Sequence, residues 1–131
     1  MASAKNVRFR WKARLVSVAT AAAGVFAMTG APPAAADDLG STCPYPHVCF
    51  YNSLSYYGNY FQRYQDVTSY YQNVPARNGY LTVVNTRNDD VARVRYIFNG
   101  ETRVRCMPPS SSFTVTDGRA TGIKISTSST C

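Results

Sequence analysis

Residues 50–61 read Phe50-Tyr51-Asn52-Ser53-Leu54-Ser55-Tyr56-Tyr57-Gly58-Asn59-Tyr60-Phe61, six aromatic rings in twelve positions around one glycine. In an alternating strand Phe50 and Tyr51 point to opposite faces of a sheet. After a polar link from Asn52 to Ser55 the pattern resumes at Tyr56, Gly58 and Tyr60-Phe61. This spacing predicts a strand that folds over on itself. Gly58 would supply the positive-φ backbone that only glycine adopts cheaply, and a ring would pack over the bend. Tyr56 and Gly58 are thus the expected structural turn. Most of these rings read as core and corner, and the functional alternative is an exposed platform on which a sugar could stack.

Working outward, no stretch after position 36 sustains a 3.6-residue apolar period. Short β-branched and aromatic runs instead alternate with the turn pairs Asn78-Gly79, Asn99-Gly100 and Asp117-Gly118, which predicts an all-β chain. Strands are expected near Val48 to Tyr51, Tyr60 to Tyr64, Leu81 to Asn85, Val91 to Phe98, Thr102 to Cys106, Phe113 to Thr116 and Gly122 to Thr127. Short strands at this spacing suggest a sandwich. The rhythm from Asn88 to Arg95 returns loosely from Asp117 to Lys124, a polar turn feeding a strand each time.

The N-terminus reads differently. Lys5, Arg8, Arg10, Lys12 and Arg14 precede an Ala-rich apolar run from Leu15 to Gly30, and small residues at Ala34-Ala35-Ala36 offer a cleavage site. Residues 1–36 are expected to be a secretory signal, with a run too short to span a bilayer, and residues 37–131 a single exported domain. Five of the fourteen basic residues lie before position 37 and all seven acids lie at or after it, so the mature chain carries +2 rather than +7. Most of the positive charge therefore belongs to the targeting segment, and neither nucleic acid nor a membrane is expected as a partner.

A 95-residue mature domain buries a modest share of its surface and gains from cross-links. Cys43, Cys49, Cys106 and Cys131 all lie in the exported part, an even number that favours two disulfides over metal ligation. Three pairings are possible. Cys43 with Cys49 is favoured because Pro44 and Pro46 bend the segment between them, and it leaves Cys106 to Cys131, which would hold the Ser/Thr-rich tail.

The aromatic pair, Tyr56, Gly58 and Tyr60-Phe61 resemble the first Greek-key motif of the βγ-crystallin fold. The run Cys43-Pro44-Tyr45-Pro46-His47-Val48-Cys49-Phe50-Tyr51 after a signal further resembles the start of the Streptomyces-type metalloproteinase inhibitors, secreted proteins of that fold. The resemblance covers Cys43 to about Phe61 well and the remainder loosely. It implies a crystallin-like sandwich of two Greek keys and an exported peptidase inhibitor without enzymatic activity, active as a monomer. In that family the peptide bond between a cysteine and a following apolar residue faces the protease zinc, which by motif falls on Cys106 and Met107. Two departures stand out: the family's second loop cysteine lies close by, whereas Cys131 is remote, and Pro108-Pro109 follows the bond. The alternative function is an extracellular binding module for a cell-wall or fungal polysaccharide, or for a partner protein.

From Arg93 to Cys106, register decides where four arginines point. A two-residue Asn99-Gly100 turn pairs Val94 with Arg105 and Tyr96 with Arg103, mixing apolar and charged side chains on each face. A three-residue Phe98-Asn99-Gly100 loop pairs Val94 with Val104 and sets Arg93 and Arg95 opposite Arg105 and Arg103. The second is expected on periodicity. It would line one outer face with Arg93, Arg95, Arg103 and Arg105, a candidate surface for an anionic partner.

No metal or cofactor site is expected. Asn88-Asp89-Asp90-Val91 lacks the hydroxyl residues of a crystallin-type calcium turn, and around Asp117 only Asp117 and Thr121 match it. His47 is the one histidine, which gives no second imidazole for a metal, and Glu101 is the one glutamate.

Overall fold

The computed structural model describes residues 40–131; the expected signal segment lies outside the described residues. Eight strands follow in chain order: β1 (Val48–Tyr51), β2 (Gln62–Tyr64), β3 (Gln72–Asn73), β4 (Leu81–Asn85), β5 (Val91–Phe98), β6 (Glu101–Met107), β7 (Ser111–Val115) and β8 (Gly118–Ser126). They form two antiparallel sheets of four, ordered β2-β1-β4-β7 and β3-β8-β5-β6. The second order, read from its other end, is the first with four added to its first three numbers and four subtracted from its last. Each half of the chain contributes three strands to one sheet and sends its third strand to the edge of the other.

The apolar alternation dictates the packing. Val48 and Phe50 of β1 with Leu81 and Val83 of β4 meet Val94 and Tyr96 of β5 and Ala120, Ile123 and Ile125 of β8 in one core. Every residue of β4 is buried, against an alternating pattern along β5. The reason is that β4 lies between β1 and β7 and is covered on both sides: Val84, facing away from the core, packs with Cys43, Cys49 and Tyr51 in a second small cluster. Both disulfides form in the favoured pairing, Cys43 with Cys49 and Cys106 with Cys131.

Three expectations are corrected. Gly58 does not have a positive φ, which among the described glycines belongs to Gly40, Gly79 and Gly100. Its contribution is a carbonyl that accepts a hydrogen bond from Thr42 Oγ1 at 2.6 Å. Second, β5 and β6 take the two-residue turn: Phe98 pairs with Glu101, Tyr96 with Arg103, Arg95 with Val104, Val94 with Arg105 and Arg93 with Cys106. Asn99 and Gly100 both have positive φ, 52° and 77°, the combination a tight turn matched to strand twist requires. Third, β8 begins at Gly118, so the hairpin link before it is shorter than expected; Val115 and Leu81 crowd Gly118 so that a Cβ there would sit 3.1 Å from the Val115 Cβ. The two-residue β3 was not foreseen.

Candidate recognition surfaces

Cys106 and Met107 close strand β6 rather than forming a loop. Met107 is 2 % exposed and belongs to the core. The carbonyls of Met107 and Pro108 accept from the buried Asn85 Nδ2 at 3.4 and 3.0 Å, which fastens the Pro108-Pro109 turn to the end of β4. The apolar side chain of this pair is therefore withheld from any pocket of a partner.

A different segment has the properties expected of a docking loop. The link from β1 to β2 spans residues 52–61 and carries Leu54, 55 % exposed, and Tyr57, 64 % exposed. On the chain side preceding Leu54, the Ser53 carbonyl accepts from Thr82 Oγ1 at 2.6 Å, and Thr82 is itself fully buried. Asn52 Nδ2 donates to the carbonyls of Asn78 and Tyr80 at 3.2 and 2.8 Å. After Leu54, the Ser55 amide donates to Ser53 Oγ, and the Tyr57 amide to Ser55 Oγ, both at 3.2 Å. Further along, Thr42 reaches the carbonyls of Tyr56 and Gly58. Leu54 thus projects between two residues whose backbone is held. The rings of Tyr56 and Tyr57 pack at a tilt of 40° with centroids 4.8 Å apart. A side-chain hydrogen bond with Tyr57, and then that neighbour's charge, push the Tyr56 phenol up. The expected turn residue Tyr56 packs on the second cluster with Tyr60.

The four arginines do not share a face. Arg103 and Arg105 sit on the core side of the edge strand β6, where the sandwich is open. Their guanidinium carbons lie 5.0 Å from the Phe98 ring and 5.7 Å from the Phe113 ring, and Arg103 also pairs with Glu101. Arg93 and Arg95 point outward. Arg93 stands directly opposite Lys124 of β8, and Arg95 opposite Gly122, over the Tyr71 ring at 4.8 Å. Lys124 lies 5.4 Å from the same ring, and Arg119, opposite Ile97, extends the row. Lys124 and Arg119 join the cationic face only through the pairing of β8 with β5, which the sequence alone does not reveal.

Arg87 is a structural hub that sequence reasoning also missed. It forms an ion pair with the buried Asp90 through Nε and Nη2, and its Nη1 donates to the carbonyls of Pro46 and Gln65, both at 2.9 Å. His47 is engaged locally, Nδ1 lying 3.0 Å from the Pro44 carbonyl. Among the described residues, no three of His, Cys, Asp and Glu gather as a metal site would require, and no helix is long and apolar enough to cross a membrane. A small concavity lined by Asn78, Ile97, Asn99, Gly100, Asp117, Gly118 and Arg119 lies beside the Asn99-Gly100 turn.

No family model matches the chain, and no curated protein or solved structure does.

Proposed function

We propose that this is an exported inhibitor of extracellular metallopeptidases on a crystallin-like Greek-key sandwich, and that its contact segment is the braced loop around Leu54. The strand order supports the Greek-key reading, since each half gives up its third strand to the opposite sheet. Two disulfides and the signal-like N-terminus support an oxidising, extracellular setting. The metallopeptidase class comes from the resemblance of residues 43–61 to the inhibitors named above.

The observation that carries the reading is an exposed leucine between two pinned residues. A loop already held in one conformation loses little entropy on docking, so more of its contact energy appears as affinity. Leu54 supplies an apolar side chain for a specificity pocket, and one such anchor commonly dominates an interface. Thr82 and Ser53 hold the chain on either side, so a bond cut here would keep its ends together and reclose or release slowly. Recognition without turnover follows from that stiffness.

The test uses a thermolysin-like zinc endopeptidase and the disulfide-bonded mature protein. Near-stoichiometric inhibition is expected, and Leu54→Asp is expected to weaken it at least a hundredfold while the melting temperature stays unchanged. Equal inhibition by Leu54→Asp would move the contact elsewhere. Rapid digestion of the wild-type protein without inhibition would overturn the proposal.

A further inference from the structure

A second surface is unrelated to the Leu54 loop. Positions that face outward on β5 and β8 bring Arg93, Arg95, Arg119 and Lys124 onto one face of the second sheet. None of them is in an ion pair with a carboxylate, the ion pairs among the described residues being Arg87 with Asp90 and Arg103 with Glu101. No outward position of β5, β6 or β8 is acidic; of the acids beside these strands, Glu101 on β6 is paired with Arg103, Asp90 before β5 with Arg87, and Asp117 lies in the turn before β8. Like charges directly opposite are destabilising, so the Arg93–Lys124 pairing works against the stability of the sheet.

The cations are held in place but keep free donors. Arg93 Nη1 lies 3.4 Å from Ser126 Oγ, and Arg95 Nε 3.3 Å from Thr121 Oγ1. Each guanidinium has five N–H groups, so most remain available. Alternate strand positions recur about every 7 Å. A ligand following the strands would therefore present one anionic group at about that spacing.

We propose that this face binds an extended phosphodiester-linked polyol polymer and so holds the protein at an anionic extracellular matrix. A diester phosphate has two free oxygens that diverge from the chain. It can accept from Arg93 on β5 and Lys124 on β8 together, one charge-assisted hydrogen bond to each. Single-stranded nucleic acid has similar phosphate geometry, but its binding draws on free aromatic faces. Tyr71, the ring on this face, is already occupied by Arg95 and Lys124. A protein partner would need a buried aromatic or apolar anchor; the exposed apolar residues here, Val104 on β6 and Val67 and Tyr70 ahead of β3, lie at the two edges of the sheet.

The experiment is binding of the disulfide-bonded mature protein to poly(glycerol phosphate) between 20 and about 300 mM salt, with uncharged dextran, polyuridylic acid and polyglutamate in parallel. Affinity is expected to fall with salt along a log–log slope of about three, from three to four phosphate contacts. Arg95→Gln with Lys124→Gln should cost at least tenfold in affinity and halve the slope; Arg119→Gln, at an exposed site, should weaken binding severalfold with folding intact. Arg103→Gln with Arg105→Gln, on the other side of the sheet, should leave binding unchanged. Peptidase inhibition should be the same in all of these, so the two sites stand or fall separately. No binding to poly(glycerol phosphate) at low salt, equal or tighter binding to polyuridylic acid or polyglutamate, or an effect of the 103/105 pair equal to that of the 95/124 pair would each overturn the assignment.

Discussion

The outer faces of the two sheets occupy equivalent places in the strand order and look nothing alike. Outside the first sheet, Cys49, Tyr51 and Val84 are buried beneath the Cys43–Cys49 segment and the rings of Tyr56 and Tyr60. Outside the second sheet the cover is reduced to the Tyr71 ring packed over Gly122, and a row of cations meets solvent beside it. The cause is local. β1 and β2 are joined by residues 52–61, enough chain to lie across the sheet and project Leu54, while the corresponding strands β5 and β6 are joined by Asn99 and Gly100 alone. A two-residue turn has no length to cover anything. Link length thus decides which face is closed by aromatics and which is left to charge.

Several experiments can break or sharpen that contrast. The largest effect should come from Arg87→Ala, which leaves the Asp90 carboxylate buried without its partner and frees the Pro46 and Gln65 carbonyls. A loss of about 3 kcal/mol or more is expected from urea unfolding. The two disulfides come next. Opening Cys106–Cys131, which spans 25 residues, should cost about 3 kcal/mol, and opening Cys43–Cys49, which spans 6, about 2 kcal/mol by the chain-entropy estimate. The shorter bridge braces the covered face, so its loss should also weaken inhibition, whereas loss of the longer one should not at temperatures where the protein stays folded.

Thr82→Val removes the hydroxyl that holds the Ser53 carbonyl and meets Thr114 Oγ1 at 2.9 Å. A destabilisation of about 1 kcal/mol is expected, together with a larger proportional loss of inhibition, about tenfold, because the docking loop becomes free to move. On the open face, Arg95→Gln with Lys124→Gln should change stability by less than about 0.5 kcal/mol.

The smallest effect concerns pH. The Tyr64 hydroxyl of β2 donates to the Asn73 carbonyl of β3 at 2.6 Å, linking the two sheets. Burial pushes its phenol above the ordinary tyrosine range, against a smaller opposing hydrogen bond from Gln62. The folded state therefore holds this proton more tightly than the unfolded chain. The stability it contributes is complete below about pH 10 and is lost as pH rises through the folded value. Tyr64→Phe should show a shallower fall in melting temperature above about pH 10 than the wild type.

Much of the fold was legible because it rests on local patterns. The alternation in Val91 to Phe98 and the apolar run Leu81 to Val84 mark strands by side-chain period alone, and the short spacing of Cys43 and Cys49 marks their bridge. The register of β5 and β6 was not legible, for a physical reason. Periodicity favours an apolar residue at every inward position, yet β6 is an edge strand. Arg103 and Arg105 can lie inward there, covering Phe98 and Phe113 with their guanidinium planes while reaching solvent. The same limit hid the candidate surfaces. Met107 follows a cysteine as the resemblance implies, but its place opposite Ala92 buries it. Leu54, inconspicuous in a polar link, is exposed because its neighbours Ser53 and Ser55 use their hydroxyls and backbone to hold the loop.

The most direct test is a titration of a zinc endopeptidase with the folded mature protein, following residual activity and the integrity of the Ser53-Leu54-Ser55 segment by mass. The result expected is a linear loss of activity to an end point near one inhibitor per enzyme, with the chain largely intact and the effect abolished by Leu54→Asp. Full activity at a large molar excess of correctly bridged protein would contradict it.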